Sequence, residues 1–130
     1  MPRLVVVDAS SMAAVLLDAD AGEHAVMRGA QLLAPSLLPY EVANVLRRLE
    51  SAGRLAPDHA DQAFRDFTGL DLELWPWPVL ADRVWQLRAN LSTYDAAYVA
   101  LAETTGATLL TRDSRLGRAP GPGCTIEVFA

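Results

Sequence analysis

Four acidic residues stand where the chain changes element type. Asp8 closes the apolar run Leu4 to Val7, Glu41 and Asp95 open helical patterns, and Asp113 follows the apolar run Thr108 to Thr111. In an open parallel α/β sheet the carboxyl ends of the strands face one crevice, so acids at such boundaries converge from distant parts of the sequence. Crowded carboxylates do not all stay ionised without a positive partner, and an oxygen-only ligand set suits Mg²⁺ or Mn²⁺. The pattern therefore points to a divalent-cation site. Taken singly, each acid also has a plain reading: Glu41 complements the positive end of a helix, Asp95 caps one, and Asp113 serves a turn. Asp8 fits a plain reading least, because an unpaired acid ending a buried strand carries a desolvation cost that capping only partly offsets.

The elements that must position these acids follow from periodicity. Arg3 to Val7 is apolar on both faces, as a central parallel strand covered by helices should be. Ser10 and Ser11 supply N-cap chemistry for a helix through Ala13 to Leu17. A second helical stretch, Glu23 to Gly29, leads to a short strand around Leu32 to Ala34, closed by Pro35. Val42, Val45, Leu46 and Leu49 recur at helical spacing between Leu38 and Gly53, which puts Glu41 in a first turn. Another helix runs from Asp58 to about Thr68, and Leu72 to Trp75 reads as a third strand. Leu80, Val84, Leu87 and Leu91 form a helical stripe, and a fresh helix starts near Thr93 and continues to Glu103, before Gly106. Thr108 to Thr111 and Thr125 to Phe129 are the last two strands, with the Pro/Gly loop Ala119 to Gly123 between them. The alternation predicts a single three-layer α/β domain over residues 1–130, with a central parallel sheet of about five strands flanked by helices.

Composition narrows the function classes. The chain has 130 residues, 52% hydrophobic and 21% charged, and no apolar run approaches the ~18 residues a membrane span needs. No membrane association is expected, and the short apolar start ending in Asp8 lacks the build of a signal peptide, so the expected location is cytoplasmic. Cys124 is the only cysteine, which excludes intrachain disulfides and thiolate zinc clusters. All basic residues are arginine; with no lysine, a Walker-type phosphate loop is disfavoured. The formal charge of -5 opposes unspecific nucleic-acid coating, so a nucleic-acid substrate would need local arginines and bridging cations.

The sequence around the acids resembles the PIN-domain ribonucleases, and among them the VapC toxins of bacterial toxin-antitoxin modules. Val6-Val7-Asp8-Ala9-Ser10 is similar to that family's opening strand and acid, and Pro39-Tyr40-Glu41-Val42-Ala43-Asn44-Val45-Leu46 to its glutamate helix. Tyr94-Asp95-Ala96-Ala97-Tyr98-Val99-Ala100-Leu101-Ala102 and Leu109-Leu110-Thr111-Arg112-Asp113 resemble its last two motifs. The resemblance implies that Asp8, Glu41, Asp95 and Asp113 surround one or two Mg²⁺ or Mn²⁺ ions. It assigns Asp8 and Asp95 as direct ligands, Glu41 as ligand or water-orienting base, and Asp113 as ligand or outer-shell partner. It further implies hydrolysis of structured RNA, such as tRNA or rRNA loops, to 5'-phosphate and 3'-hydroxyl ends, a homodimer, and a VapB-type antitoxin partner. Two rival readings stay open: a PIN nuclease of RNA processing without an antitoxin, and a catalytically silent PIN module that binds RNA or protein.

Supporting roles are assigned more loosely. Ser10, Asn44 and Thr111 are placed to brace the acids or a phosphate. Arg112, Arg115 and Arg118 flank the expected pocket and are candidates for gripping RNA phosphates, as are Arg47 and Arg48; a solvated arginine run is the equal alternative. His24 and His59 are isolated. Trp75-Pro76-Trp77-Pro78 is either a strand-to-helix turn packed on the core or an aromatic partner-binding surface.

Overall fold

A computed structural model describes residues 1–130. The first unit runs β1 (Leu4–Val7), α1 (Ala9–Leu17), α2 (Glu23–Met27) and β2 (Gln31–Pro35). The chain continues through α3 (Leu38–Ser51), α4 (Pro57–Thr68) and β3 (Leu72–Trp75). It then makes α5 (Trp77–Gln86), α6 (Thr93–Thr105), β4 (Thr108–Thr111), α7 (Ser114–Arg118) and β5 (Ile126–Val128). The five strands pair parallel in the order β3-β2-β1-β4-β5.

That order places the switch of direction beside β1. The chain builds outward from β1 through β2 to β3, then returns to lay β4 on the other flank of β1. A crevice opens at the carboxyl end of such a switch point. The register pairs Val7 with Leu110, so Asp8, just after β1, and Thr111, the last residue of β4, emerge side by side. Parallel crossovers are right-handed, so α1 to α4 cover one face and α5 to α7 the other. The packing agrees: α1, α3 and α4 touch one another, and α5 lies against α6.

Val5, Val6, Val7, Leu109 and Leu110 are fully buried, as central strands covered on both faces must be. Truncating Leu109 to alanine would cost roughly 2–5 kcal/mol. The deepest helix is α6, in which every residue from Ala96 to Ala102 is buried. Its alanines allow close approach on several sides, and a helix apolar all round belongs in a core. Gly106 ends α6 in the left-handed region, at φ 73°.

Several boundaries differ from the sequence expectation. The N-cap of α1 is Asp8 itself, whose carboxylate accepts the Ser11 N–H, so the helix begins at Ala9 and Ser10 and Ser11 fall in its first turn. Helix α2 stops at Met27, two residues short of Gly29, and β5 is confined to Ile126–Val128. Leu80 and Val84 lie on α5, but Leu87 and Leu91 are buried in the turns after it. The short helix α7 was not anticipated; Gly117 within it has no room for a side chain, since a Cβ would stand 2.5 Å from a Val128 methyl. In the tryptophan-proline segment, Trp75 packs against the core while Trp77 is 56% exposed. No helix is long and apolar enough to cross a membrane.

Candidate active site

All four acids reach one cavity at the carboxyl end of the sheet. Asp8, Glu41, Asp95 and Asp113 line a space of about 310 Å³ together with Ser10, Asn44, Arg48 and Tyr98. Each acid arrives on a different element: at the end of β1, in the first turn of α3, in the first turn of α6, and at the N-cap of α7.

Asp8 is 7% exposed and faces no cation among its hydrogen-bond partners. Its Oδ1 accepts from the Ser10 hydroxyl at 2.6 Å and the Ser11 N–H at 3.0 Å, and its Oδ2 accepts from the Thr111 hydroxyl. Burial lifts its carboxyl above the ordinary range against the opposing pull of these donors. The same two hydroxyls also hold the far wall. Ser10 Oγ accepts the Arg112 N–H at 2.9 Å, and Thr111 Oγ1 accepts the Asp113 N–H at 3.0 Å.

Glu41 accepts a hydrogen bond from the Tyr98 hydroxyl at 2.5 Å, a link between helices on opposite faces of the sheet. Burial raises the Glu41 carboxyl, with further push from Asp8 and Asp95, while Tyr98 opposes the rise. Burial and the Glu41 charge together push the Tyr98 phenol far up, so it stays a donor. Asp95 follows the cap residue Ser92, whose hydroxyl accepts the Asp95 N–H at 3.2 Å. Its carboxyl is raised by burial and by the charges of Asp113 and Asp8. Asp113 alone is held below its ordinary range, because Arg115 donates to it from both backbone and guanidinium.

Asp8, Glu41 and Asp95 thus have no ion-pair partner of their own, and Arg115, paired with Asp113, offsets only part of the rise at Asp95. No three His, Cys, Asp or Glu side chains stand as a cluster that would hold a metal ion by themselves. A small hard cation does not need one, because Mg²⁺ keeps several waters and takes one or two carboxylates directly. The donor set, oxygen throughout and surplus in negative charge, fits Mg²⁺ or Mn²⁺.

The sequence profile of the PIN domain matches residues 5–122. The chain belongs to the PIN domain family. Ribonuclease VapC9 of Mycobacterium tuberculosis is 38% identical over 125 residues, spanning 96% of this chain and 98% of that protein. The crystal structure of PAE2754 from Pyrobaculum aerophilum superposes with a TM-score of 0.72 at 26% identity, covering 97% of this chain and 84% of that one. The PIN-like fold is also shared with VapBC2 from Rickettsia felis, solved bound to a DNA fragment from their promoter. There the TM-score is 0.72 at 12% identity, with 98% and 99% of the two chains covered.

Within this PIN domain the supporting residues divide. Ser10 and Thr111 touch Asp8, and Asn44 lines the cavity while its side-chain oxygen accepts from Arg47 at 2.8 Å. Arg48 lines the cavity too, because Glu41, Asn44, Val45 and Arg48 recur at i, i+3, i+4 and i+7 on one face of α3. Arg115 is paired with Asp113 on the outer rim. Arg112 does not point at the pocket as a free phosphate grip: its guanidinium forks onto both oxygens of fully buried Glu23 at 2.8 Å, and it donates to the Ala130 carbonyl. Burial raises the Glu23 carboxyl, but Arg112 together with a backbone N–H and the Ser11 hydroxyl outweighs it and leaves the group below its ordinary range. His24 lies at hydrogen-bond distance from the Asp18 carbonyl, away from the acids.

Two participants escaped the sequence reading. Tyr98 carried a usable signal, since it stands three residues after Asp95 and so shares its helix face. Glu23 carried none, because its partner lies 89 residues away.

Proposed function

We propose that this chain is a Mg²⁺- or Mn²⁺-dependent endoribonuclease, the toxin of a VapBC-type pair, acting as one domain on structured RNA loops. The observation that carries this reading is the convergence of Asp8, Glu41, Asp95 and Asp113 on one cavity, the first three raised by burial and without an ion-pair partner. Kinship with proteins named VapC ribonucleases supplies the substrate class and the toxin context. The homodimer and the VapB-type antitoxin are carried over from that kinship, and the antitoxin's arginines would suit the same negative pocket.

Asp8 and Asp95 are the residues to hold the cation, with Asp113 as a further ligand or outer-shell partner. A bound divalent cation would supply charge stabilisation at the scissile phosphate and a more acidic water. Ser10, Ser11 and Thr111 fix the Asp8 carboxylate in one orientation, so it need not reorganise during reaction. Glu41, raised towards proton affinity and oriented by Tyr98 through Oε1, has its other oxygen available to take a proton from an attacking water. Arg48 and Arg115 stand at the edges of the acid cluster, where flanking phosphates of an RNA strand would pass.

The test is RNA cleavage by Asp8→Asn and Asp95→Asn proteins with and without chelator. Both variants should fold and lose activity, because an amide lacks the anionic oxygen these cations prefer. Undiminished cleavage by either, or by the unaltered chain in excess chelator, would defeat the mechanism. Coexpression with a neighbouring small gene product should suppress cleavage and rescue growth; if no such product binds and expression is harmless, the toxin reading fails while the nuclease reading stands.

A further inference from the structure

A second cavity, of about 420 Å³, adjoins the acid pocket and shares Asp95 and Asp113 as a common wall. We propose that this second cavity, presenting Asn90, Ser92 and Arg115 over a floor of Leu91 and Leu116, is a subsite for the nucleotide next to the scissile phosphate of single-stranded RNA. The inference rests on the nuclease reading and extends it by naming where the strand leaves the acids.

The two cavities together form one groove with an acidic middle and a cation at each end. Arg48 lies on the α3 side and Arg115 on the α7 side. A polyanion crossing such a groove meets a site for a bridging cation at its centre and an arginine before and after it. The volume of the second cavity falls within the range of small-ligand sites. Its chemistry suits a nucleotide, with an apolar floor for a ribose or base and polar groups for its edges. The Ser92 hydroxyl accepts from the Asp95 N–H and keeps its own hydrogen to donate.

Arg115 is poised to exchange partners. Its side chain is 84% exposed, and its guanidinium meets Asp113 at 3.3 Å, a long contact in water. Exposed pairs of this kind contribute little, so turning the guanidinium to a phosphate, which it can engage bidentately, sacrifices little. The same turn frees the Asp113 carboxylate towards the acid pocket.

Fluorescence anisotropy with a labelled six-nucleotide single-stranded RNA and Mg²⁺ reads this directly. An Asp8→Asn background keeps the RNA whole, and its integrity is verified after each titration. Arg115→Ala should weaken binding about tenfold and make the dependence of log affinity on log salt shallower by about 0.7, the share of one phosphate contact on a single strand. Asn90→Ala should weaken binding by a few-fold, roughly 2–10, without altering the slope, since it removes no charge. Arg65→Ala, exposed on α4 and lining neither cavity, should change neither. The subsite is overturned if Arg115→Ala leaves affinity and slope intact, or if Arg65→Ala lowers both equally. It is also overturned if the substitutions impair capture of a partner protein while RNA binding is untouched. RNA binding that persists unaltered in every variant sinks the subsite alone, whereas no binding or cleavage of RNA by the unaltered chain sinks the nuclease reading with it.

Discussion

Thr111 and Asp8 are joined across the switch point of the sheet: the hydroxyl at the end of β4 donates to the carboxylate at the end of β1, 103 residues away in sequence. The same hydroxyl oxygen accepts the Asp113 N–H, so one small side chain sets the spacing of two acids. Thr111→Val keeps the shape and removes both bonds inside a fully buried environment. The expected loss of stability is about 1–3 kcal/mol, with Thr111→Ser retaining most of it. Urea denaturation measures both, and a valine variant as stable as the parent would contradict the bridge.

Tyr98 restrains Glu41 in a comparable way. Removing its hydroxyl removes a hydrogen bond that pulls the Glu41 carboxyl down, so Tyr98→Phe should lift Glu41 further above its ordinary range. If Glu41 takes the water's proton, the acid limb of the pH-rate profile moves to higher pH, and turnover at neutral pH falls about 10-fold or more. An unmoved acid limb would remove Glu41 from that role.

Stability without divalent cation should depend on pH in an unusual sense. Asp8, Glu41 and Asp95 have raised carboxyls, so the folded chain holds their protons more tightly than the unfolded chain does. Their contribution is fully present below the ordinary carboxylate values and is lost as pH rises through the raised ones. Glu23, Glu103 and Asp113, lowered by Arg112, Arg83 and Arg115, contribute above the ordinary values and lose that contribution as pH falls through the depressed ones. Calorimetry in chelator should therefore show the melting temperature rising from neutral to mildly acidic pH before it collapses at stronger acid. Saturating Mg²⁺ should raise the neutral value most and flatten this slope. A melting temperature that only falls on mild acidification would refute the uncompensated cluster.

Asp95→Asn should accordingly trade function for stability. Removing one of the mutually repelling charges is expected to stabilise the cation-free protein by about 0.5–2 kcal/mol at neutral pH while abolishing cleavage. A destabilised variant would show that the Asp95 charge has a structural partner.

The Glu23–Arg112 pair should respond asymmetrically. Arg112→Ala strands a fully buried carboxylate and should cost about 3–5 kcal/mol. Glu23→Gln leaves a guanidinium whose side chain is 27% exposed and able to hydrate, so it should cost less. Adding Glu23→Gln to Arg112→Ala should recover part of the loss. Equal costs for the two single variants would argue against the stranded charge as the cause.

Local physics made much of the scaffold readable. The bounds of β3 and β4 follow from short apolar runs between turn signals, and α3 from the recurrence of Val42, Val45, Leu46 and Leu49. The acids stood out because carboxylates at element boundaries break the apolar pattern that surrounds them. Capping was harder to read, because Asp8, Ser10 and Ser11 are all competent caps and only the three-dimensional path selects Asp8. Arg112 misled for a different reason. Its neighbour Asp113 lines the pocket, and nothing near it in sequence reveals that Glu23 waits in the interior on the other side.

The burial of α6 bears on how such a protein is held in check. Asp95 and Tyr98 ride on the first turns of a helix whose next residues are sealed from solvent, so this end of the site opens only when the whole molecule does. Amide hydrogens of Val99 to Ala102 should be among the slowest to exchange. Local melting of α6 is therefore not a route to displacing Asp95, and anything that blocks this end of the site has to occupy the mouth of the pocket from outside.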